Sequence, residues 1–336
     1  MRSTVAMYAL AATSLCSGID AFAVPTAAVR QGFSLSMAAE PDRLPAQAKR
    51  YYVRPDRVLD VLSSVPQLLL RLGSGALVDG YQSVKVSREE EGDEGEYAVV
   101  RALGFKARPH TNSPLPCEYI ISEKGNTWDR QQPRQPIEIY EFEGCPFCRK
   151  VREAINILDL DVVFYPCPQG ERGPTFRPKA NELGGQKQFP YMVDPNSKTS
   201  MYESDAIIDY LFESYGEGAK VPFQLSLGLL TTITAGLGML PRALKGSKYT
   251  PAKMPKKPLE LWGYESSPFT KVVREKLCEL EIPHKFVAAA RGSPKRQKLF
   301  EMTGAGQTPY LIDPNTGAKG YESSEIVDYL EETYAL

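Results

Sequence analysis

The chain has 336 residues, 42% hydrophobic and 24% charged, with 40 Lys+Arg against 41 Asp+Glu. That length allows two or three packed domains, and a net charge of −1 with a pI near 6.3 leaves no basic field for nucleic acid. Six Cys are too few for a disulfide-stapled scaffold, and two His (His110 and His284) leave little for a His-rich metal site or a Ser-His-Asp triad. Cysteine is the side chain on which chemistry is expected.

Residues 1–50 read as an address. Arg2 precedes an apolar run over 5–16 that is too short to span a membrane, and small residues follow it. The stretch onward to Arg50 is rich in Ala and Ser, as transit peptides are. The Ala21-Phe22-Ala23-Val24-Pro25 junction resembles the bipartite presequence of algae with secondary plastids. That resemblance implies a plastid (chloroplast) protein, in the stroma or peripheral to a plastid membrane; a plain secretory signal is the alternative.

Residues 51–134 form a separate N-terminal region. Val58, Leu62, Val65, Leu69 and Leu72 share one helical face, interrupted by Pro66. Six acids in eight residues over 89–96 read as a solvated loop.

Residues 135–216 read as one module. Ile137 and Ile139 alternate as in a strand, and Val151, Ile155 and Leu158 have helical spacing. A second strand is expected over 162–165 and a helix over 174–183 that ends at Gly184-Gly185. A hairpin follows across Asp194-Pro195-Asn196. Ser204 is read as the cap of a closing helix with Ile207, Ile208 and Leu211 on its apolar face. The order βαβ, α, ββα is the thioredoxin fold, with one small sheet and helices on both faces.

Residues 217–257 link this module to a second one. The stretch 221–241 has no charge and many Leu, diluted by Thr, Gly, Gln224 and Ser226. It reads as a helix buried between modules, or as a segment inserted in or lying on a membrane. A Pro- and Lys-rich strap over 249–258 follows.

Residues 258–336 repeat the first module. Pro136-Ile137-Glu138-Ile139-Tyr140 returns as Pro258-Leu259-Glu260-Leu261-Trp262, and the pairing sets Cys145 against Ser267 and Cys148 against Thr270. After a three-residue difference, Pro190-Tyr191 pairs with Pro309-Tyr310, Asp194-Pro195-Asn196 with Asp313-Pro314-Asn315, and Glu203-Ser204 with Glu322-Ser323. The fold class is therefore α/β: two tandem thioredoxin-fold modules, an apolar helical linker and an extra N-terminal helical region.

The chemistry lies in Cys145-Pro146-Phe147-Cys148, where a strand turns into a helix. Unpaired N–H groups and the helix dipole favour negative charge there, so a cysteine deprotonates more easily. Thiolate attacks disulfides, and the two-residue spacer lets Cys148 resolve a mixed disulfide formed on Cys145. Zinc would need two further ligands at matching spacing, which the remaining Cys and His do not supply; no metal is expected. Cys167 reads as a small buried residue or a third thiol, and Cys278 as core.

These residues resemble a known family. Residues 136–216 are similar to a glutaredoxin, or equally to the N-terminal thioredoxin-fold domain of a glutathione S-transferase, and 258–336 to a degenerate copy. With the apolar linker they resemble the plastid tandem glutaredoxin-like proteins of plants and algae. The resemblance implies glutathione as cofactor: the residue before a cis-proline, Phe189 before Pro190, offers its backbone to the cysteinyl part. It also implies that Ser204 and a helix N-terminus take the γ-glutamyl carboxylate, and that Glu203 takes the ammonium. Ser267 and Thr270 lack sulfur, so the second site, with Pro309, Glu322 and Ser323, cannot exchange dithiols; the resemblance implies either glutathione binding without turnover or a purely structural half. No all-helical domain of the kind that forms a transferase's electrophile pocket is read after either copy. The expected function is thus a glutathione-dependent thiol-disulfide oxidoreductase acting on glutathionylated protein or small disulfides. The alternatives are a non-catalytic glutathione-binding scaffold that docks a membrane or partner through 221–241, and a glutathione transferase or isomerase.

Overall fold

The computed structural model describes residues 43–49, 52–81, 83–88, 119–124, 130, 132–169, 175–242 and 245–336. Residues 1–42 of the expected presequence and the acidic run 89–96 lie outside the described residues. Residues 43–49, also read as presequence, instead pack into the fold with Leu44 buried, so the expected boundary at 50 falls too late. A short 3-10 turn, Pro55–Arg57, leads into α1 (Val58–Leu70). β1 (Ser83–Arg88) and β2 (Tyr119–Lys124) make an antiparallel pair of their own. The first module runs β3 (Ile137–Glu141), α2 (Pro146–Ile157), β4 (Val162–Pro166), α3 (Phe176–Gly184), β5 (Tyr191–Asp194), β6 (Thr199–Met201) and α4 (Ser204–Tyr215). After α5 (Phe223–Ser226) and α6 (Leu229–Met239), the order repeats. The second module runs β7 (Leu259–Gly263), α7 (Pro268–Glu279), β8 (His284–Ala288), α8 (Pro294–Thr303), β9 (Tyr310–Ile312), β10 (Lys319–Tyr321) and α9 (Ser323–Tyr334).

Local chemistry accounts for these elements. α2 and α7 each start with a proline, whose fixed φ suits the first helical turn. α3 and α8 stop at equivalent glycines, Gly185 and Gly304, both at φ 73°, a left-handed conformation that other residues adopt at a cost. Each hairpin turn is locked by its aspartate: Asp194 accepts from the Asn196 N–H at 2.8 Å and Asp313 from the Asn315 N–H at 2.8 Å. The same carboxylates take hydroxyls from the closing helices, Tyr210 at 2.6 Å in one and Tyr329 at 2.7 Å in the other.

The sequence suggested one small sheet per module, but the two sheets are continuous. Eight strands run in the order β10-β9-β7-β8-β4-β3-β5-β6, joined where β4 meets β8 antiparallel. Val163 faces its own repeat equivalent, Lys285, so a local two-fold axis passes between them. The physical reason is the edge. In either module alone this strand would carry unpaired backbone groups beside fully buried side chains such as Val162, Phe164 and Phe286. Pairing satisfies both edges, and Phe164 and Phe286 meet edge-on at 5.8 Å across the axis.

The helices that precede each module obey the same symmetry. α1 packs along α7, α6 along α2, and the two pack on each other. Arg71 after α1 reaches Glu153 at 2.6 Å, and Arg242 after α6 reaches the equivalent Glu275. Gly75 and Gly246 follow at φ 79° and 72°. A Cβ on Gly75 would lie 3.3 Å from the Glu153 Cα, and one on Gly246 3.0 Å from the Glu275 Cα. Isolated bridges then join Leu77 to Arg291 and Lys248 to Gln169.

Apart from Val61 on α1, both helices present small or polar side chains inward: Ser64 and Gln67 on α1, and Thr231, Ala235 and Gly238 on α6. Their large apolar residues face out, with Leu59 81% and Leu229 73% exposed. α6 thus departs from the reading of 221–241 as a helix buried between modules: one face packs on α1 and α2, and its leucine face is exposed. Among the described residues no helix is long and apolar enough to cross a membrane.

Candidate active site

Cys145 is the N-cap of α2, in extended backbone at φ −94°, and its Sγ accepts the Cys148 N–H at 3.2 Å. On its other side the Phe189 carbonyl lies 3.9 Å from the sulfur, beside the cis Phe189–Pro190 bond. Burial pushes the Cys145 thiol up. The hydrogen bonds from the Cys148 thiol and N–H outweigh it and, with the Arg152 charge, hold Cys145 below the ordinary thiol range. Cys148 is driven the other way, by complete burial and by donating to Cys145. The pair thus separates into one sulfur that loses its proton more easily and one that holds its proton more tightly. Cys167 joins the same cluster, but burial pushes its thiol well up, as it does for Cys278 in the core.

Phe189 is wedged against Phe142, edge-on at 6.2 Å, with the Arg177 guanidinium 4.5 Å above its ring. Arg177 is held by the Cys167 carbonyl at 2.8 Å and the Pro168 carbonyl at 3.0 Å. Glu203 precedes α4 at φ 67°, and its carboxylate accepts Gln188 Nε2 at 2.6 Å. Here the structure corrects the cap reading: Ser204 is the first helical residue, and Glu203, at the cap position, makes no side-chain capping bond. The turn carries a positive φ, so the first N–H groups of α4 open beside the buried Ser204 instead of folding onto a side chain.

The second module keeps the frame without the sulfurs. Ser267 caps α7 by accepting the Thr270 N–H at 3.2 Å, Thr308–Pro309 is cis, and Glu322 sits at φ 70° before Ser323. Glu141 beside Cys148 is matched by Gly263, whose Cβ-less backbone is filled by the Thr270 methyl. Among the described residues no group of His, Cys, Asp or Glu could hold a metal ion.

Two features escaped the sequence reading. Gln188 and Gln307 stand two residues before each cis-proline and reach Glu203 and Glu322; the repeat itself pairs them, and that was the available signal. The other is a buried ionic network between modules. Arg152 reaches Glu141, and Glu265 at 3.0 Å, while Arg274 reaches Glu265, and Glu143 at 3.0 Å. Lys271 completes it at 2.6 Å from Glu143.

Residues 139–219 and 261–336 match the family model for the glutathione S-transferase N-terminal domain. A glutathione S-transferase-like protein of Aspergillus terreus is 32% identical over 77 residues, covering 23% of this chain and 34% of that protein. The chain thus spans about a third of the length of that curated relative. Among solved structures, a glutathione transferase of Bombyx mori shares 29% identity over 29% of this chain and 45% of its own, with a TM-score of 0.24. A trimeric glutathione transferase of Leishmania shares 13% over 60% of this chain and 67% of its own, with a TM-score of 0.23. The match falls twice, on the two repeats that share the eight-stranded sheet, so the chain carries two tandem thioredoxin-fold modules, each similar to the glutathione S-transferase N-terminal domain.

Proposed function

We propose that the first module is a glutathione-dependent thiol-disulfide oxidoreductase that removes glutathione from protein or small-molecule mixed disulfides. The observation that carries it is the Cys145 sulfur at the α2 N-cap, bonded to the Cys148 N–H at 3.2 Å and facing the Phe189 carbonyl. The Cys145 thiolate attacks the glutathione sulfur of the mixed disulfide. A Cys145–glutathione bond forms, and the substrate sulfur leaves as thiolate and takes a proton from water. A second glutathione, as its thiolate, then attacks the bound glutathione sulfur, giving oxidised glutathione and restoring Cys145. Alternatively Cys148 gives up its proton and displaces reduced glutathione, leaving a Cys145–Cys148 disulfide that two further glutathiones reduce.

In this reading Phe189 meets the cysteinyl backbone, while Glu203 meets the ammonium and Ser204 with the α4 N-terminus meets the carboxylate of the γ-glutamyl group. The test is reduction of a glutathione–peptide mixed disulfide by the full chain. Cys145→Ser should abolish turnover and Cys148→Ser should keep part of it. Wild-type rates in Cys145→Ser would sink the proposal.

A second reading has its own observation, the outward leucines of α1 and α6. It gives the chain a lie on a lipid surface, with the presequence pattern of residues 1–50 directing it to a plastid membrane. Flotation with neutral phospholipid vesicles tests the first part: Leu59→Ser with Leu229→Ser should release the protein. A reporter fused to residues 1–50 tests the second, and uniform secretion would reject it.

A further inference from the structure

The two cradles differ in what lies in them. A segment of this same chain, residues 43–49, runs along the second. Leu44 is 3% exposed, inside the core, and the Tyr321 N–H donates to the Pro45 carbonyl at 2.9 Å. Ala48 rests on the cluster of Trp262, Tyr310 and Tyr321. The Lys49 N–H donates to the Glu322 carboxylate at 2.6 Å, and Gln307 Nε2 reaches the Lys49 carbonyl at 3.1 Å. The segment is then tied down by Arg54 and Arg57, at 2.5 and 2.8 Å from Asp328 on α9. Glu203, the first module's equivalent of Glu322, is exposed and bonded to Gln188 of its own module.

Gly320 makes room for this segment. A Cβ there would stand 2.5 Å from the Leu44 Cβ and 2.7 Å from the Pro45 carbonyl oxygen. The first module has Met201 at the equivalent position, so the segment fits the second cradle alone.

We propose that the second cradle is a binding site for an extended peptide main chain, filled in cis by residues 44–49, and that glutathione is taken up by the first cradle only. The second half rests on the function proposed above. Glu322 spends on the Lys49 main-chain N–H the acceptor that a γ-glutamyl ammonium would need. A tethered occupant acts at an effective concentration of about millimolar or more, so free ligand displaces it poorly.

Equilibrium dialysis of the full chain against labelled reduced glutathione tests this. The wild type should take up one equivalent. Lys49→Pro with Leu44→Asp, which removes the N–H and the anchor, should take up two, as should Gly320→Met, which evicts Leu44. Two equivalents in the wild type, or one in both variants, overturns the proposal. No uptake by the wild type fails the first-cradle reading instead. Hydrogen exchange then decides the cis occupancy: the Lys49 and Tyr321 amides should exchange slowly in the wild type and at least tenfold faster in Gly320→Met, and fast exchange in the wild type overturns it.

Discussion

Arg152 of the first module pairs with Glu265 of the second at 3.0 Å, and its repeat equivalent Arg274 crosses the opposite way to Glu143 at the same distance. The exchange is reciprocal and fully buried. Breaking one partner of a buried pair strands the other charge and costs about 3–5 kcal/mol. Arg152→Met should therefore lower the urea midpoint steeply. Arg54→Ala, removing the more exposed pair with Asp328, should change stability by less than about 1 kcal/mol. Similar losses in both would mean that the network does not hold the seam.

The thiol makes a separate prediction. Hydrogen bonds from Cys148 hold Cys145 below the usual thiol range, so its alkylation by iodoacetamide should reach half-rate at a lower pH than that of an ordinary cysteine. Cys148→Ala removes the thiol donor but keeps the N–H donor, so the midpoint should move up. An unmoved midpoint would assign the acidity to the helix terminus alone.

Acid response should be split between two buried groups. Burial, first of all, lowers His284 from its ordinary 6.5 to about 4 and raises Asp159 from 3.8 to about 6. His284 stays neutral in the fold, so acid favours the unfolded chain between pH 6.5 and 4. Asp159 holds its proton in the fold, so its contribution is present at low pH and lost as pH rises from 4 to 6. Each amounts to about 3 kcal/mol, and they largely cancel. Asp159→Asn should make stability fall with acid, and His284→Phe should make it rise, in urea unfolding followed from pH 7 to 4. Parallel profiles for the two variants would refute the assignment.

Glu203 tests the cost of the cradle. At φ 67° a non-glycine residue holds a conformation disfavoured by about 1 kcal/mol or more. Glu203→Gly should raise the unfolding midpoint slightly while weakening glutathione uptake by tenfold or more. A loss of stability instead would make this turn structural.

Much of the frame was legible because the repeat pairs residues whose spacing carries the fold. Cys145 with Ser267, Asp194 with Asp313 and Glu203 with Glu322 all occupy matching places. The leading helices were not legible as repeats. Arg71 and Gly75 match Arg242 and Gly246, but Ser64 and Gln67 share nothing with Ala235 and Gly238. Nor did their leucines reveal orientation. The rule that apolar faces point inward failed because the surfaces they cover are α2 and α7, whose outer faces carry buried charge such as Arg149, Glu153, Lys271 and Glu275. Small side chains let the backbones approach that charge, and Arg71 and Arg242 finish the pairing. The β4–β8 seam was hidden for a different reason. It depends on two strands more than a hundred residues apart, and no local pattern states which edge meets which.

The axis through Val163 and Lys285 means that one polypeptide holds what two identical subunits would ordinarily form together. In such a pair every mutation arrives twice, and a side chain that suits one half burdens the other. A single chain is free of that constraint: Cys145 and Met201 stand in one half where Ser267 and Gly320 stand in the other, so matching places carry different side chains.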